Sequence, residues 1–514
     1  MSVSSEPAAL QGNSDDRARP AVLLRGVAPM SPLGRIATEL LAEFADVAFS
    51  DGRPPEPKRW RRAVCETALQ WWSETDSGPG RDSPGVSDLV LELNRQEAGQ
   101  AGRTWCIVDA AGMPLFHPFQ ALRVCSMKPY IASLNLIESE DGGARWQLVA
   151  EAHVSSARSY PELLGVLGRT AIRLLRMALC NSSAPRTPWA PEPIQPGPPQ
   201  TMLRARFASG LAWLRARLSG EVYGIAILDR RPEEFLQDQT RPVAQWLQIP
   251  ASKGFIADPF FWPGRPGLLL CETYLHHTGL GELTLLSVDA GRIVSSEPLP
   301  LGLRCHLSYP STWTDGDRVL CLPEMAASRR QVLYELKPGM APEPLCVVAN
   351  QVGMADPTLM QMDGLYWIAY TDTDIGMYDN LCLLYASRLE GPWFPHAGNP
   401  VKIDARSSRP GGTPFWVENQ LFRPAQDCSR EYGGALVVNC VKVCTPEAYH
   451  EELAAILRPD PDGAFPDGLH TLSIGNGFAV IDGKRNSYHP AILAQKLRRQ
   501  LVRTLGSPPT DMAR

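Results

Sequence analysis

One short motif recurs along the second half of this chain and limits the folds that it can adopt. The tripeptide Ala-Asp-Pro leads into an apolar strand at residues 257–259 and again at residues 355–357. Weaker copies follow other bends, and five markers, at positions 258, 309, 356, 413 and 470, are separated by 51, 47, 57 and 57 residues. Self-similarity at a period near this length is typical of a β-propeller, in which each repeat forms one sheet. The five copies predict a five-bladed β-propeller over residues 221–490.

The spacing of apolar runs in the same region also predicts an all-β domain. From residue 222 onward, short apolar runs alternate with Gly, Pro and Asp turns at intervals of about eight to twelve residues, as in successive antiparallel strands. Residues 446–457 are the exception, and they are predicted to form a helical insertion in the fourth or fifth repeat.

The first third of the chain has a different pattern. Apolar runs at residues 21–24 and 47–49 predict two strands, with a helix between them at residues 32–44. Further strands and helices are predicted at residues 60–72 (helix), 89–93, 104–108, 145–152 and 160–178 (helix). A small α/β domain is therefore expected over residues 21–182, after a disordered segment at residues 1–20. The predicted fold class is multidomain, α/β plus all-β.

Prolines mark the boundary between the two domains. Residues 183–200 contain seven prolines, a density that favours an extended polyproline spacer and excludes a helix. Residues 201–220 follow, with a basic amphipathic helix predicted at 202–218. Such a helix either packs across the propeller or makes a peripheral contact with an anionic membrane surface. A basic C-terminal helix and tail is predicted over residues 491–514.

Composition argues against several functional classes. A chain of 514 residues exceeds what one core usually serves, and its formal net charge of -5 argues against general affinity for nucleic acid. The 12 cysteines are scattered without a C-x-x-C pair, so no disulfide framework, metal site or cofactor is predicted. The N-terminus lacks the apolar core of a signal peptide, and no apolar run is long enough to span a bilayer, so a cytoplasmic location is expected.

The repeated markers are expected to converge, because the innermost strand of each propeller sheet lines a central channel. Asp258 and Asp356 would meet in one funnel, with Glu272 and Glu324 at the ends of the following strands. Carboxylates across a cleft suit glycosidic-bond cleavage, since one protonates the leaving oxygen while another activates water or attacks the sugar. Asp-Pro at a strand entrance is also a turn device in which the carboxylate accepts backbone N–H groups, and that alternative stays open.

Longer motifs between about residue 223 and residue 485 resemble the propeller at the N-terminus of the glucosamine inositolphosphorylceramide transferase family. The motifs include Ala257-Asp258-Pro259-Phe260, His306-Leu307-Ser308-Tyr309-Pro310, Leu322-Pro323-Glu324, Arg409-Pro410-Gly411-Gly412 and Arg423-Pro424-Ala425-Gln426-Asp427-Cys428-Ser429-Arg430. More distantly, the region is similar to arabinosidase and β-fructosidase glycoside hydrolases. The order of elements over residues 21–182 resembles a formyltransferase-like domain, but the Asn-x-His of formyl transfer is missing, so an inactive relative is expected.

The resemblance to the glycoside hydrolases implies roles for individual residues. Asp258 corresponds to the base or nucleophile, Asp356 to the partner that sets pKa values, and Glu324 to the acid. The residues expected to hold the sugar are Glu272, His306, Tyr309, Arg409, Gln426, Asp427, Arg430 and His470. The resulting hypothesis is an enzyme that cleaves or transfers a glycosyl group of a carbohydrate or glycoconjugate. The alternative is a propeller that binds a glycan or glycolipid headgroup, or acts as a scaffold in a biosynthetic pathway, without chemistry.

Overall fold

The fold is that of a computed structural model, which describes most of the chain from residue 254 onward and parts of the chain before it. The described residues are 21–25, 46–50, 89–92, 103–114, 131–141, 144–155, 160–180, 186–192, 220–228, 230–237, 243–248, 254–475 and 477–487. The predictions for residues 1–20, 32–44, 60–72, 202–218 and 491–514 lie outside this set.

A seven-stranded mixed sheet, in the order β2-β1-β3-β4-β5-β6-β7, forms the N-terminal unit. The strands are β1 (Ala21–Arg25), β2 (Asp46–Ser50), β3 (Leu89–Glu92), β4 (Arg103–Val108), β5 (Ile131–Ser139), β6 (Gln147–Ser155) and β7 (Thr187–Pro188). The first four pair in parallel and the last three antiparallel. Helix α1 (Tyr160–Cys180) packs on β5 and β6. The formyltransferase resemblance of this unit stays a prediction.

The sheet continues into the segment predicted as a linker. Strand β7 lies within residues 183–200, and Leu148 in β6 pairs with Thr187. Trp189 donates its backbone N–H to the Trp146 carbonyl over 2.9 Å and packs against a buried cluster that includes Cys106. Proline removes backbone donors, which an edge strand tolerates, so a proline-rich segment can still end a sheet.

Five antiparallel sheets follow, and the first four come from consecutive stretches of chain. The first is β10 (Gly254–Phe261), β11 (Leu268–Leu275), β12 (Leu280–Asp289) and β13 (Arg292–Pro298); the second is β14 (Ser308–Asp315), β15 (Arg318–Glu324), β16 (Arg330–Leu336) and β17 (Glu343–Asn350). The third is β18 (Met354–Met362), β19 (Leu365–Asp372), β20 (Asn380–Ala386) and β21 (Phe394–Pro395), with β22 (Lys402–Ile403) on β20; the fourth is β23 (Phe415–Val417), β24 (Gln420–Asp427), β25 (Ala435–Cys444) and β26 (Tyr449–Leu457).

The fifth sheet joins the two ends of this region. Its strands are β27 (Leu472–Gly475), β28 (Phe478–Ser487), β8 (Gly220–Leu228) and β9 (Gln245–Trp246). The pairing of β28 with β8 runs from Ala479 opposite Leu228 to Ser487 opposite Gly220. The earliest strand of the region thus completes the last sheet, and radial closure of this kind leaves few exposed edges. The predicted propeller is confirmed.

The predicted helix at residues 446–457 is wrong, because Tyr449–Leu457 forms strand β26. It pairs with β25 along its length and buries Tyr449, Ala455 and Leu457. The carboxylate of Glu451 is buried on this strand and lies 2.6 Å from Arg423 Nη2 and 2.8 Å from Lys402 Nζ. Pairing and this ion cluster override a local helix preference that is small for each residue.

Two short helical elements, α2 (Glu234–Gln237) and a 3₁₀ turn (Ala326–Ser328), complete the described secondary structure. In the part of the chain that the structure describes, no helix combines the length and the apolar character that crossing a membrane requires.

Candidate functional site

The repeated motif is a β-bulge at the entrance of the innermost strand in three sheets. Asp258, Tyr309 and Asp356 have positive φ angles of 52°, 43° and 49°, and each precedes a proline. In the first sheet, Ala257 lies opposite Glu272 and Phe260 opposite Leu270, so two residues face one. The second and third sheets repeat this offset. Left-handed residues other than glycine are uncommon, and proline cannot donate to the ladder, so the motif produces the same bulge each time.

A carboxylate accepts the backbone N–H at each of these bulges. The N–H of Asp258 donates to Asp482 Oδ2 over 2.9 Å, and that of Tyr309 donates to Asp258 Oδ2 over 3.1 Å. The N–H of Asp356 donates to Glu324 Oε2 over 3.0 Å. A buried backbone donor needs a partner, and the bulge removes the ladder partner. The carboxylates of Asp482, Asp258 and Glu324 therefore stabilise the bulges. Each accepts an N–H from a distant part of the chain, so these bonds differ from the local Asp-Pro turn that the sequence left open.

Asp258 belongs to a buried cluster with His470, Thr471 and Asp482. Thr471 Oγ1 donates to Asp258 Oδ1 over 2.7 Å, and His470 Nε2 lies 3.4 Å from the same oxygen. His470 Nδ1 lies 2.6 Å from Asp482 Oδ2. Burial would lower the pKa of His470, but the charges of Asp482 and Asp258 raise it to about 9. Burial raises the pKa of Asp258 to about 6, against the opposing charge of His470.

The same three ionisable groups are also a donor set of the kind that binds metal ions. Ligand atoms of Asp258, His470 and Asp482 lie within 4.8 Å of one another. Each carboxylate oxygen already accepts an N–H or O–H group, since Asp482 Oδ1 accepts the backbone N–H groups of His470 and Thr471. A histidine that keeps its proton at neutral pH does not offer a ligand nitrogen. The contacts fit a protonated imidazole between two carboxylates better than a metal centre.

A second cluster surrounds Asp356. Arg409 Nε and Gln426 Nε2 both donate to Asp356 Oδ2, each over 2.6 Å. Arg409 Nη2 lies 3.9 Å from Glu324 Oε2. Burial, and then the negative charge of Asp356, raise the pKa of Glu324 well above its usual value. The side chain of Glu324 is 13% exposed, against 3% for Asp356 and 6% for Asp258, so Glu324 is the most accessible of these three carboxyl groups.

Tyr309 connects three sheets at the axis. Its hydroxyl lies 2.9 Å from Thr358 Oγ1 in the third sheet and accepts the Gly412 N–H over 2.6 Å. Its ring meets that of Phe260 edge to face, with 4.8 Å between the centroids. Tyr309 has no exposed surface, so its ring has no free face on which a sugar could stack.

The other predicted sugar-binding residues lie at the edges of the clusters. Glu272 Oε1 is 3.6 Å from His306 Nε2, and burial raises the pKa of Glu272 well above its usual value. Asp427 is half-buried and accepts the Ser429 N–H over 2.9 Å, while Arg430 is exposed. Arg409, Gln426 and His470 therefore join the clusters around Asp356 and Asp258, whereas these four residues lie outside them.

Two aromatic residues and one acid at the site were not predicted. The guanidinium of Arg409 lies 4.9 Å from the ring centroid of Tyr432 and 5.8 Å from that of Tyr378. Tyr432 also meets the ring of His470 edge to face at 5.4 Å, so it contacts both clusters. Asp482 directly follows the apolar run Ala479–Ile481 in strand β28, and an isolated acid next to such a run was the available signal.

The propeller region of the chain is similar to known proteins. Residues 242–459 match the family model described as glucosamine inositolphosphorylceramide transferase 1, N-terminal. The resemblance predicted from the sequence is confirmed. The chain is 31% identical over 279 residues to glucosamine inositolphosphorylceramide transferase 1 of Arabidopsis thaliana, covering 49% of this chain and 36% of that protein. It is 30% identical over 251 residues to the same-named protein of Oryza sativa subsp. japonica, covering 45% and 34%. The chain thus spans about a third of the length of these relatives.

Solved structures similar to this chain include glycoside hydrolases. An exo-β-1,3-galactanase from Phanerochaete chrysosporium is 11% identical with a TM-score of 0.31, over 42% of this chain and 54% of that chain. An α-L-arabinofuranosidase from Clostridium thermocellum is 7% identical with a TM-score of 0.29, over 43% and 80%. The sheet order and the closing strand of this chain carry the propeller assignment.

Proposed function

We propose that the propeller acts on a carbohydrate-containing substrate and cleaves or transfers a glycosyl group with carboxyl groups near its axis. The observation that supports this most directly is the environment of Glu324. Its carboxyl group has a raised pKa, lies beside the Asp356–Arg409 ion pair and keeps part of its surface exposed. Glycosidic-bond cleavage needs one carboxyl group that keeps its proton at neutral pH and another that does not.

The surroundings of each carboxyl group suggest its role. Glu324 is the proposed acid, because burial and the charge of Asp356 raise its pKa and because it is the most accessible of the three. Asp258 is the proposed base or nucleophile, since a pKa of about 6 leaves it mostly ionised at neutral pH. The charge of Asp356 contributes to the raised pKa values of both Glu324 and Asp258, so Asp356 is the proposed pKa-setting partner. Arg409 and Gln426 hold its carboxylate in place.

The substrate class is inferred from the relatives and from the chemistry of the site. The curated relatives are named as transferases of glucosamine inositolphosphorylceramide, and this chain spans about a third of them. We infer a glycoconjugate substrate from that name. A cytoplasmic location remains a prediction.

A second candidate function is carbohydrate binding without chemistry. Both carboxylate oxygens of Asp258 accept hydrogen bonds from the protein, one from Thr471 Oγ1 and the other from the Tyr309 N–H. A base or nucleophile must reach the substrate or an activated water. If Asp258 keeps both hydrogen bonds when the sugar binds, it cannot act as base or nucleophile. The carboxylates near the axis would then stabilise a propeller that only binds its ligand.

The test compares the full-length chain with a Glu324→Gln variant. Hydrolysis of 4-nitrophenyl glycosides and transfer from nucleotide sugars are measured together with sugar binding by calorimetry. Removing a general acid lowers the rate by about 10²–10⁴-fold while ligand binding is retained. Glu297→Gln, on the outer strand of the first sheet and exposed, is the matched control and should keep wild-type activity.

Two results would contradict the enzyme hypothesis. Full activity of the Glu324→Gln variant would show that Glu324 is not the general acid. Sugar binding by the wild-type chain with no turnover of any glycoside or nucleotide sugar would favour the binding propeller. Glu324→Gln is a better test than a change at Asp258, because the amide oxygen of Gln can still accept the Asp356 N–H, whereas both carboxylate oxygens of Asp258 hold hydrogen bonds to other parts of the protein.

A further inference from the structure

A cavity of about 480 Å³ lies where helix α1 of the N-terminal unit meets the propeller. Arg169 and Arg173 of α1 line one side, and the segment from Thr373 to Asp379 lines another. The segment Arg430–Tyr432 forms a third side. We call this space the interdomain cavity. Its volume falls within the range of about 300–1,000 Å³ that is usual for small-molecule sites.

Contacts between the two units hold this cavity in place. Arg173 Nη1 donates to the Ile375 carbonyl over 3.4 Å, and Ser155 Oγ donates to the Ser429 carbonyl over 3.4 Å. Close by, the backbone N–H of Ala405 donates to the His153 carbonyl over 2.7 Å. The cavity is therefore built from both units, and neither unit alone would enclose it.

Three arginines from the two units face this cavity. Arg169 and Arg173 are one helical turn apart on the same face of α1, and Arg430 comes from the propeller. Burial lowers the pKa of Arg173, and the charge of Arg169 lowers it further. Two guanidinium groups thus repel each other in a half-buried space, and an anion bound between them would relieve that repulsion.

The acids of the cavity offset only part of this charge. Asp379 and Glu431 line it, and the charges of Asp379 and Asp372 act on Arg173. Glu431 Oε2 is paired with Lys484 Nζ at 3.0 Å, and this lysine also lies 3.5 Å from Glu221 Oε1. The lining itself carries three arginines against the two acids Asp379 and Glu431. The remaining charge of the lining is positive.

The cavity also borders the carboxylate clusters. Tyr378 and Tyr432 line it, and both rings contact the guanidinium of Arg409, which binds Asp356. Tyr432 contacts His470 as well. A ligand in the cavity would therefore lie against these two rings, and Arg409 would separate it from Asp356.

We propose that the interdomain cavity binds the phosphate group of a phosphate-bearing sugar. Planar guanidinium groups donate two parallel hydrogen bonds to phosphate, and a pair of them on one helix face suits a phosphate ester. The sugar would lie against Tyr378 and Tyr432, toward Arg409. This inference rests on the proposed function for the sugar, and it assigns to the N-terminal unit part of the substrate site.

Calorimetry on the full-length chain tests the proposal with glucose 1-phosphate, inorganic phosphate and glucose. Both phosphate compounds should bind, and glucose alone should bind at least tenfold more weakly than glucose 1-phosphate. Arg169→Gln and Arg430→Gln should each raise the Kd for inorganic phosphate at least tenfold. Arg292→Gln, an exposed arginine on the outer strand of the first sheet, is the matched control and should leave this Kd unchanged.

The phosphate could belong to a soluble sugar phosphate or to a lipid headgroup, and vesicle sedimentation separates the two. Binding to phosphatidylcholine vesicles only when they contain phosphatidylinositol, with loss of binding in Arg169→Gln, assigns a lipid headgroup. Binding of glucose 1-phosphate without vesicle binding assigns a soluble source. Both results support the phosphate site.

Two results would overturn the proposal: no binding of inorganic phosphate or glucose 1-phosphate, or an unchanged Kd in both arginine variants. Arg430 is exposed on a loop, so its variant keeps the test informative if Arg169→Gln fails to fold. Glu324→Gln should bind inorganic phosphate like the wild-type chain. A chain that binds phosphate through its arginines but turns over no glycoside would refute the proposed enzyme activity and leave the phosphate site standing.

Discussion

The backbone N–H of Tyr309 donates to Asp258 Oδ2 over 3.1 Å and so connects the bulge of the second sheet to the acid of the first. The N–H of Asp258 in turn donates to Asp482 Oδ2, which lies 224 residues later in the chain. Neighbouring sheets are thus joined by hydrogen bonds from the backbone of a bulge to a carboxylate of the next sheet. The acids that resemble catalytic residues are also structural parts of the axis.

Tyr309→Phe should destabilise the propeller, because it removes the hydroxyl that Gly412 and Thr358 share. A buried donor left without its partner costs about 1–3 kcal/mol. The free energy of unfolding from urea titration measures the loss. Tyr366→Phe removes a hydroxyl from a half-buried tyrosine of β19 and serves as the control. Equal stability of the two variants would show that the axial hydroxyl is not needed.

Glu451→Gln should destabilise the fourth sheet, because Arg423 is fully buried and would lose its carboxylate partner. Breaking a buried ion pair in this way costs about 3–5 kcal/mol. Unfolding at pH 7 measures the effect, and Glu452→Gln, at the exposed neighbouring position, is the control.

The same pair predicts how stability depends on acid. Burial opposes ionisation of Glu451, but the charges of Arg423 and Lys402 lower its pKa from 4.5 to about 2. A depressed folded-state pKa contributes stability above the unfolded value, and that contribution is lost as the pH falls from about 4.5 to about 2. The shift corresponds to roughly 3 kcal/mol. Unfolding curves at pH 5 and pH 2.5 should differ less in Glu451→Gln than in the wild-type chain, and an unchanged difference would contradict this.

His470 should titrate far above an ordinary histidine. Its pKa of about 9 exceeds the usual 6.5, so its stabilising contribution is complete below about 6.5 and is lost as the pH rises through about 9. The pKa of Asp258 is also raised, from 3.8 to about 6, so its contribution to stability is likewise lost as the pH rises, but between about 3.8 and about 6. Nuclear magnetic resonance of the imidazole protons measures the midpoint, with His450, an exposed histidine, as the internal reference. A midpoint below 7 would mean that His470 is not held between two carboxylates.

Gly412→Ala should be far more damaging than Gly302→Ala. Both glycines have positive φ angles, 132° and 72°. A Cβ at Gly412 would overlap the backbone carbonyl of Leu472, whereas a Cβ at Gly302 would meet open space. Gly302→Ala should lower the free energy of unfolding by about 1–2 kcal/mol, because alanine is strained in a left-handed backbone. Gly412→Ala should lower it by about 1–3 kcal/mol more, because its Cβ is also crowded at the axis. Equal losses in thermal unfolding would exclude close packing at the axis.

The propeller could be predicted from the sequence because its repeat is local. Each Xaa-Pro bulge is specified by neighbouring residues, since the left-handed residue and the missing N–H of proline act within a few positions. Short strands between turn residues are readable for the same reason. The strand within residues 446–457 could not be predicted in this way, because it depends on its pairing with β25 and on the ion pair of Glu451 with Arg423, and both partners are distant in the sequence.

The sequence by itself determined the repeat, the bulges that it encodes, and Asp258, Glu324 and Asp356 as acids beside them. Only the tertiary structure decided which groups these acids meet. Asp482 reaches Asp258 across 224 residues, and Arg409 reaches Asp356 across 53. The tertiary structure also places Tyr432 between the two clusters, and it places Arg169 and Arg173 in the lining of the interdomain cavity. Burial and ionic partners set the protonation of a carboxyl group, and both arise only when distant parts of the chain pack together.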